Sequence, residues 1–528
     1  MTVAKYIVEF LNKIGVDTVF GYQGGNISIL IDELGRSALN FVSTYNEQGA
    51  AFAANGYSEY KKDIGVAISS SGPGAINMLN GVANAYFDGL PCLFITGDVN
   101  TASQKKYNGV RQSGFQEVDI VRMAEPVTKG AFSVAPSTDI PTLLLKCYEL
   151  MFEGHKGPVL LNIPHNVQRM EIERDDVLLP AFTASVTRSS LDIESKISEA
   201  LATAVSPLLL LGNGCWDIQT QLRTWINTAG IPFCTTLKAI DFYPESIYAQ
   251  GLIGTYGVEK VSSHFRESDL IIVLGARLDE RVVGPFVEIL EDKKVIYIDI
   301  DKAELSKFSD YGWSLYLADL RDIDFQKIVS KTFYANNDVK RTIVDDSSLT
   351  YSSFFNALRF EKKSSISLDV GLNQMAAAKY LHLKDGDRVL SSGGLGSMGF
   401  SLPASIGSWY ADKDIQIVSF MGDGGLQMNI QELEVIRRER IPCKIFVLNN
   451  NSLGMIRQYQ DLAFQHRYIA TVEGFSMPSL SDLAHLYEMI YVRIDSLSDL
   501  SKVIRKIENM EESVLVEVVI PVYDNIDN

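Results

Sequence analysis

Cysteine and histidine are scarce in this chain of 528 residues, with five of the first and six of the second. The cysteines, at positions 92, 147, 215, 234 and 443, make no CxxC pair and no metal-ligand spacing, and several sit inside apolar runs. That excludes a disulfide-stapled fold and a cysteine-rich zinc site, and leaves small core residues in a reduced compartment. The histidines are scattered and point to no metal cluster. Positive charge is in deficit, 48 Lys and Arg against 65 Asp and Glu, for a net charge of −17 and a pI near 4.9. Such a balance argues against nucleic acid and anionic membrane as partners. No stretch approaches the ~20 uninterrupted apolar residues of a transmembrane helix. The opening MTVAKYIVEFLNKIGVDTVFG reads as an amphipathic helix leading into a strand, not as a signal or transit peptide, so a cytoplasmic protein is expected.

What the chain does have is apolar residue, 46% of the total, in strand-like and helix-like patterns that alternate throughout. The expected class is α/β, with about three doubly wound parallel-sheet domains. The first runs over 1–166 and closes on the buried strand GPVLLNIP at 157–164. A polar linker leads to a second at 188–335, which opens with a helix and the strand 207–211. The charged, Ser-rich stretch 336–352 then precedes a third at 353–528. The first and third share a layout of strand, glycine turn, helix and strand.

The most informative stretch is in the third unit. A β-rich run at 415–421 stops at Gly422-Asp423-Gly424-Gly425, a helical pattern follows over 429–438, and a second apolar strand at 443–448 ends in three asparagines. A strand–turn–helix–strand unit is a parallel crossover, which places both strand ends on one edge of a sheet. Asp423 and Asn450 thus emerge side by side, a carboxylate and an amide oxygen beside a glycine turn. That donor set suits Mg²⁺, which takes oxygen ligands and often shares them with a diphosphate. A GDG alone is usually only a turn; the asparagines after the next strand are what make it a site.

In the first unit, a strand-like run at 41–45 precedes Asn46-Glu47-Gln48-Gly49 and an Ala-rich helix, and Gly65-Val-Ala-Ile-Ser-Ser-Ser-Gly-Pro-Gly74 is another strand entering a glycine loop. A glutamate opening a helix complements the dipole in any protein. In combination with the GDG and NNN segments, however, this order resembles the thiamine diphosphate (ThDP) enzymes, in particular the acetohydroxyacid (acetolactate) synthase large subunits with their HEQGA and TSGPG segments. The resemblance implies a pyrimidine-binding domain, a central domain and a diphosphate-binding domain. It implies Mg²⁺ held by Asp423, Asn450 and the carbonyl of Ser452, with Gly422, Gly424 and Gly425 at the diphosphate. It also makes Glu47 the carboxylate on the cofactor's aminopyrimidine, with the cofactor carrying the carbanion chemistry.

Further segments follow the same family. Phe115-Gln116-Glu117 and Val127-Thr128-Lys129 are similar to its FQE and ITK segments, where Phe115, Gln116 and Lys129 would approach the substrate. Gly393-Gly-Leu-Gly-Ser-Met-Gly-Phe-Ser-Leu-Pro-Ala404 resembles GGLGTMGFGLPAA; there Gly396 and Met398 would hold the cofactor bent, with Met455 of the segment GMIRQYQD nearby. In the middle unit, GLIGTYG at 251–257 and Gly275-Ala-Arg-Leu-Asp-Glu-Arg281 are similar to segments around FAD, so that Gly275, Arg277, Asp279 and Arg281 would line a flavin of structural role. Tyr256 in place of a family histidine, and the turn Gly212-Asn213-Gly214 where a glycine triplet is expected, depart from that pattern.

Other departures bear on the acceptor. Tyr459 stands where the family has a tryptophan, Asn26 where an alanine is expected, VGLNQMA at 370–376 replaces VGQHQMW, and only a short polar tail follows the last strand. The expected activity is a ThDP- and Mg²⁺-dependent transferase that decarboxylates pyruvate and adds the activated acetaldehyde to an acceptor carbonyl. Two acceptors stand at this point: a second keto acid, giving acetolactate, or a keto-deoxysugar nucleotide, favoured by the more polar pocket. A plain decarboxylase ranks below both, because the HH pair of such enzymes is absent near 110–120. A catalytically silent ThDP-fold homologue would have lost Glu47, Asp423 or Asn450, and all three are present. The family's shared cofactor site implies a homodimer or homotetramer.

Overall fold

The computed structural model describes residues 1–104, 109–173, 176–180, 192–284, 290, 293–333 and 348–526. Among the described residues, eighteen strands form three sheets of six, and every pairing within a sheet is parallel. The first holds β1 (Thr18–Gly21), β2 (Asn40–Ser43), β3 (Gly65–Ser69), β4 (Cys92–Asp98), β5 (Gly130–Ser133) and β6 (Val159–Pro164), ordered 2-1-3-4-6-5. The second holds β7 (Pro207–Leu211), β8 (Phe233–Thr235), β9 (Ala249–Leu252), β10 (Leu270–Leu274), β11 (Lys294–Asp299) and β12 (Ser314–Leu317), ordered 12-11-10-7-8-9. The third holds β13 (Ser364–Leu368), β14 (Arg388–Ser391), β15 (Gln416–Gly422), β16 (Lys444–Asn449), β17 (Ile490–Ile494) and β18 (Val514–Val519), ordered 14-13-15-16-18-17. The α/β class with three parallel-sheet domains is therefore as the alternating patterns required.

The orders carry more than the class. Counted from its own first strand, the third sheet repeats the first, 2-1-3-4-6-5, while the middle sheet has the doubly wound order 3-2-1-4-5-6 read from its other edge. Near the middle of each sheet, neighbouring strands send their connections in opposite directions: between β1 and β3, between β7 and β10, and between β13 and β15. Ligands of open parallel sheets bind beyond the carboxyl ends of the strands at such a reversal. The central strands β3, β7, β10 and β16 are buried along almost their whole length, as sheets covered on both faces demand.

The first and third domains are fastened together by two helices, Glu47–Lys61 and Ser401–Ala411, that cross at glycines. A Cβ on Gly407 would lie 1.9 Å from the Ala53 carbonyl oxygen, and one on Gly56 would lie 2.3 Å from that of Ala404. Both obstacles are backbone and cannot swing away. Gly407→Ala should therefore destabilise the protein by about 1–3 kcal/mol through overpacking, although the same change in an open helix stabilises by up to ~1 kcal/mol. Urea unfolding reads the sign directly. The seam matters to function because Glu47 is the first residue of one of its helices.

Candidate functional site

At the reversal of the third sheet, β15 ends in Gly422 and a short helix, Asp423–Met428, starts at once. The helical pattern expected over 429–438 is found as a 3-10 turn at Ile430–Glu432 leading into a helix at Leu433–Glu439, and the glycine turn before it is helical as well. Asp423 is 1% exposed; its Oδ1 accepts from the Gly424 amide at 2.8 Å, while its Oδ2 is buried with no hydrogen-bond partner among the described residues. Burial pushes this carboxyl up to about 6, against the pull of the Gly424 amide. β16 delivers Asn450, whose Oδ1 accepts from the Ser452 amide at 3.2 Å, and both Asn450 Nδ2 and Ser452 Oγ are buried without partners among the described residues. Asparagine amide orientation is an assignment, so either end of Asn450 can face the gap. Such atoms occur elsewhere among the described residues as well, but three residues carrying them together around one turn ask for an occupant. A buried carboxylate, an amide and a hydroxyl around one turn fit a hard cation with a phosphate ligand.

The glycines there make room. A Cβ on Gly424 would stand 2.5 Å from Leu453 Cδ2 and 3.5 Å from Met398 Cε, so Met398 does reach this turn. Gly396 has φ +73° and open space around it. Met455 packs against the core of the third domain. Tyr459 lies half-exposed on the helix Gly454–Ala463 with its ring edge-on to Phe464 at 5.6 Å.

A second group surrounds the glycine loop after β3. Glu47 opens the helix whose N-cap, Asn46, accepts from the Gln48 amide at 2.8 Å. The Glu47 carboxylate takes a hydrogen bond from Asn77 Nδ2 at 3.0 Å, and a Cβ on Gly74 would sit 2.8 Å from its Oε1. Gln116, held at φ +65°, packs against Gly72 of the same loop, and Phe115 beside it is 85% exposed. Asn26 donates to Ser71 Oγ at 2.7 Å, which bridges the two loops at the reversal of the first sheet. Its amide is thus committed to bracing the loop, and that weakens the expectation of a more polar acceptor pocket. Lys129 lies apart from Glu47 and Gln116: its ammonium donates to the Glu153 carbonyl, and its stem packs on Gly157.

Lys129 instead lines a cavity of about 580 Å³ at the carboxyl ends of the middle sheet, together with Arg277, Asp279, Arg281, Asp301 and Arg321. Glu47, Asp423, Asn450 and Met398 are not in its wall. At the reversal between β7 and β10 the two glycine turns abut: Gly275 has φ +52° and its Cβ would fall 2.8 Å from Gly214 Cα. β11 ends in Asp299, a buried carboxyl pushed up to about 6 by burial. Cations from several loops, acids at a strand end and a size within the usual range for ligand pockets fit a dinucleotide.

Several residues of these sites escaped the sequence reading. Asp369, fully buried just after β13, accepts from the Gly399 and Ser401 amides at 2.9 and 3.0 Å and lies against Gly425, so it ties the Met398 loop to the GDGG turn. Its only sequence signal was an acid at the end of a strand. Glu432, also fully buried, accepts from the Tyr45 amide at 3.2 Å across the domain seam and blocks any side chain at Gly49. Burial raises its carboxyl to about 7, partly offset by the backbone amides of Tyr45 and Asn46. An acid whose pKa rises on folding binds more protons folded than unfolded, so its ionisation costs stability as pH climbs from about 4.5 through about 7. Glu432→Gln should flatten that loss, with a gain on the order of 3 kcal/mol at pH 8 and little at pH 4, read from unfolding curves at the two pH values.

Comparison with known proteins agrees with this architecture. Residues 1–123 match the thiamine pyrophosphate enzyme N-terminal TPP binding domain, 195–315 the central domain of the same enzymes, and 369–518 their C-terminal TPP binding domain. The chain is 32% identical to the acetolactate synthase isozyme 2 large subunit of Escherichia coli, over 89% of this chain and 87% of that protein. It is 31% identical to the acetolactate synthase large subunit of Lactococcus lactis, over 98% and 92%. The probable acetolactate synthase large subunit of Methanococcus aeolicus gives 30%, over 98% and 92%. The chain belongs to the thiamine pyrophosphate-dependent, acetolactate synthase-like enzymes. No helix among the described residues is long and apolar enough to cross a membrane.

Proposed function

We propose that this enzyme is a ThDP- and Mg²⁺-dependent carboligase that joins two molecules of a 2-keto acid, with pyruvate as donor and a second keto acid as acceptor, giving acetolactate and CO₂. The observation that carries the reading is the set of unpartnered buried polar atoms on Asp423, Asn450 and Ser452 at a glycine turn. Asp423, Asn450 and the Ser452 carbonyl would hold the metal, and the turn glycines Gly422, Gly424 and Gly425 would leave room for the diphosphate beside it. Gly396 leaves space for the cofactor and Met398 supports its rings. When bound, ThDP supplies the stabilised carbanion on which decarboxylation and ligation depend. Glu47 holds or releases a proton at the aminopyrimidine, and its bond from Asn77 keeps the carboxylate aimed. Gln116 and Phe115 border the reacting carbon, and Tyr459 and Asn26 bound the acceptor side.

The units 1–166, 188–335 and 353–528 would then bind pyrimidine, flavin and diphosphate in turn. Gly275, Arg277, Asp279 and Arg281 line the proposed FAD cavity, and Lys129 joins them rather than the catalytic group. Glu47 and Asp423 sit at separate sheet reversals, and Phe115 beside the first is bare. Both facts support a homodimer in which a second copy closes each site.

The test is turnover of pyruvate with ThDP and Mg²⁺, counting acetolactate and CO₂ together. One acetolactate per CO₂ is expected. CO₂ without acetolactate would mean that the two-carbon unit leaves as acetaldehyde, and a keto-sugar nucleotide would then be added as the first alternative acceptor. No CO₂ at all would overturn the reading.

A further inference from the structure

The helix Pro73–Asp88 starts at the glycine loop that touches Glu47 and ends between all three domains. One of its faces carries Asn80, Asn84 and Asp88 at four-residue intervals, which stacks them along the helix. All three hold the loop at 392–399 that leads to Gly396 and Met398. Ser392 Oγ donates to Asn84 Oδ1 at 2.5 Å, Ser397 Oγ donates to Asn80 Oδ1 at 2.9 Å, and the amides of Gly393 and Gly394 donate to the Asp88 carboxylate at 3.2 and 2.7 Å. Asp88 is also bound from the other side. Lys238, in the turn after β8 of the central domain, places its ammonium 3.3 Å from Asp88 Oδ2, pairs with Glu59, and donates to the Ser391 carbonyl at 2.7 Å.

This cluster is largely buried and tight. The side chains of Glu59, Asp88 and Lys238 are 3%, 1% and 14% exposed. A Cβ on Gly393 would meet Lys238 Cδ at 2.7 Å, and one on Gly394 would meet Phe87 Cβ at 2.7 Å. Burial pulls the Lys238 pKa down, but Asp88 and Glu59 outweigh it and hold it above the ordinary lysine value. Breaking one partner of such a group leaves a buried charge uncompensated. Asp88, Lys238, Gly393 and Gly394 also form part of the wall of the 580 Å³ central cavity. A single carboxylate therefore joins the wall of one cofactor cavity to the glycine loop of the other cofactor's site. Between its tethers that loop has glycines in the left-handed region, at φ +73° for Gly396 and +80° for Gly399, and open space beside Gly396.

We propose that Asp88 and Lys238 are positioning residues that couple the central cavity to the 392–399 loop, so that a flavin dinucleotide in the cavity and ThDP at the loop strengthen each other's binding. The inference rests on the cofactor assignments made above. Filling the cavity holds Lys238 and Asp88 in place, and through Asp88 the Gly393 and Gly394 amides; a cofactor in either site thus stabilises the shared contacts that the other site needs. Linkage requires the two effects to be equal: FAD lowers the ThDP dissociation constant by the same factor as ThDP lowers that of FAD.

The experiment uses the full chain stripped of cofactors. Titration calorimetry gives the ThDP·Mg²⁺ dissociation constant with and without FAD, and flavin fluorescence gives that of FAD with and without ThDP·Mg²⁺. The expected result is one common factor, about 5- to 150-fold. It should fall towards unity in Asp88→Asn and in Lys238→Met, and survive in Lys238→Arg, which retains the cation; circular dichroism checks that each variant is folded. If wild type binds both cofactors with a factor of one, the coupling is wrong and the proposed function stands. If the variants keep the full factor, Asp88 and Lys238 are not the link. ThDP binding without any FAD binding overturns the inference alone, whereas failure to bind ThDP overturns the proposed function with it. The wild-type measurement decides the coupling even if a variant fails to fold.

Discussion

Glu47→Gln is expected to lower the rate of pyruvate turnover by about 10²–10⁴, the usual worth of a positioned acid–base group, and to leave the ThDP dissociation constant within a few-fold of wild type. The two halves of that result have separate physical causes. Glutamine matches glutamate in shape, so the contact with Gly74 and the start of the helix at Asn46 survive. The hydrogen bond from Asn77 also survives, provided the new amide presents its oxygen. What is lost is the ability to exchange a proton and to favour one protonation form of the cofactor's ring. Affinity is supplied at the other sheet reversal, by groups the substitution does not touch. Single-turnover rates and calorimetry on one preparation separate the effects. Unchanged turnover would remove Glu47 from the mechanism, and a lost affinity with normal turnover at saturation would make it a binding residue only.

Much of this architecture was legible because parallel sheets write themselves plainly into sequence. Buried strands read as continuous apolar runs, and the strand 207–211 coincides with β7. Glycine turns at strand ends mark where the chain must approach a ligand or another turn, and 422–425, 72–74 and 275 all lie at reversals of strand order. The short helix at the glycine turn, Asp423–Met428, was not legible, since so short a helix leaves no periodicity to detect. Nor were the residues whose meaning is a partner far along the chain. Glu432 reads as one more acid on an amphipathic helix, and only the fold sets it on the Tyr45 amide, 387 positions away. Asp88 and Lys238 look like surface charges; their ion pair spans 150 positions. Lys129 shows the converse. A local segment resemblance placed it at the substrate, and the fold carries it to the central cavity, because the strand β5 that follows it lies at the edge of the sheet.

Asp423→Asn should move apo stability and cofactor affinity in opposite directions. In the free protein the Asp423 carboxyl is buried, has one oxygen without a partner, and titrates near 6 instead of near 3.8. Above that pH its charge opposes folding by something on the order of 3 kcal/mol, and a neutral amide of the same size removes the cost. The apo variant should therefore unfold at a higher temperature than apo wild type at pH 8, and the difference should vanish towards pH 4, where both side chains are neutral. With Mg²⁺ and ThDP the order reverses. A cation compensates the buried charge, so wild type gains stability in proportion to RT ln(1 + [L]/Kd), while the variant, short of its anionic ligand, should bind Mg²⁺–ThDP at least about 100-fold more weakly, more than is typical for loss of an outer-shell partner. Thermal unfolding with and without the cofactors at pH 8 measures both signs on one instrument. A variant less stable than wild type in the apo state would show that Asp423 is a structural anion, satisfied without metal. A variant stabilised by Mg²⁺–ThDP as strongly as wild type would move the metal site elsewhere.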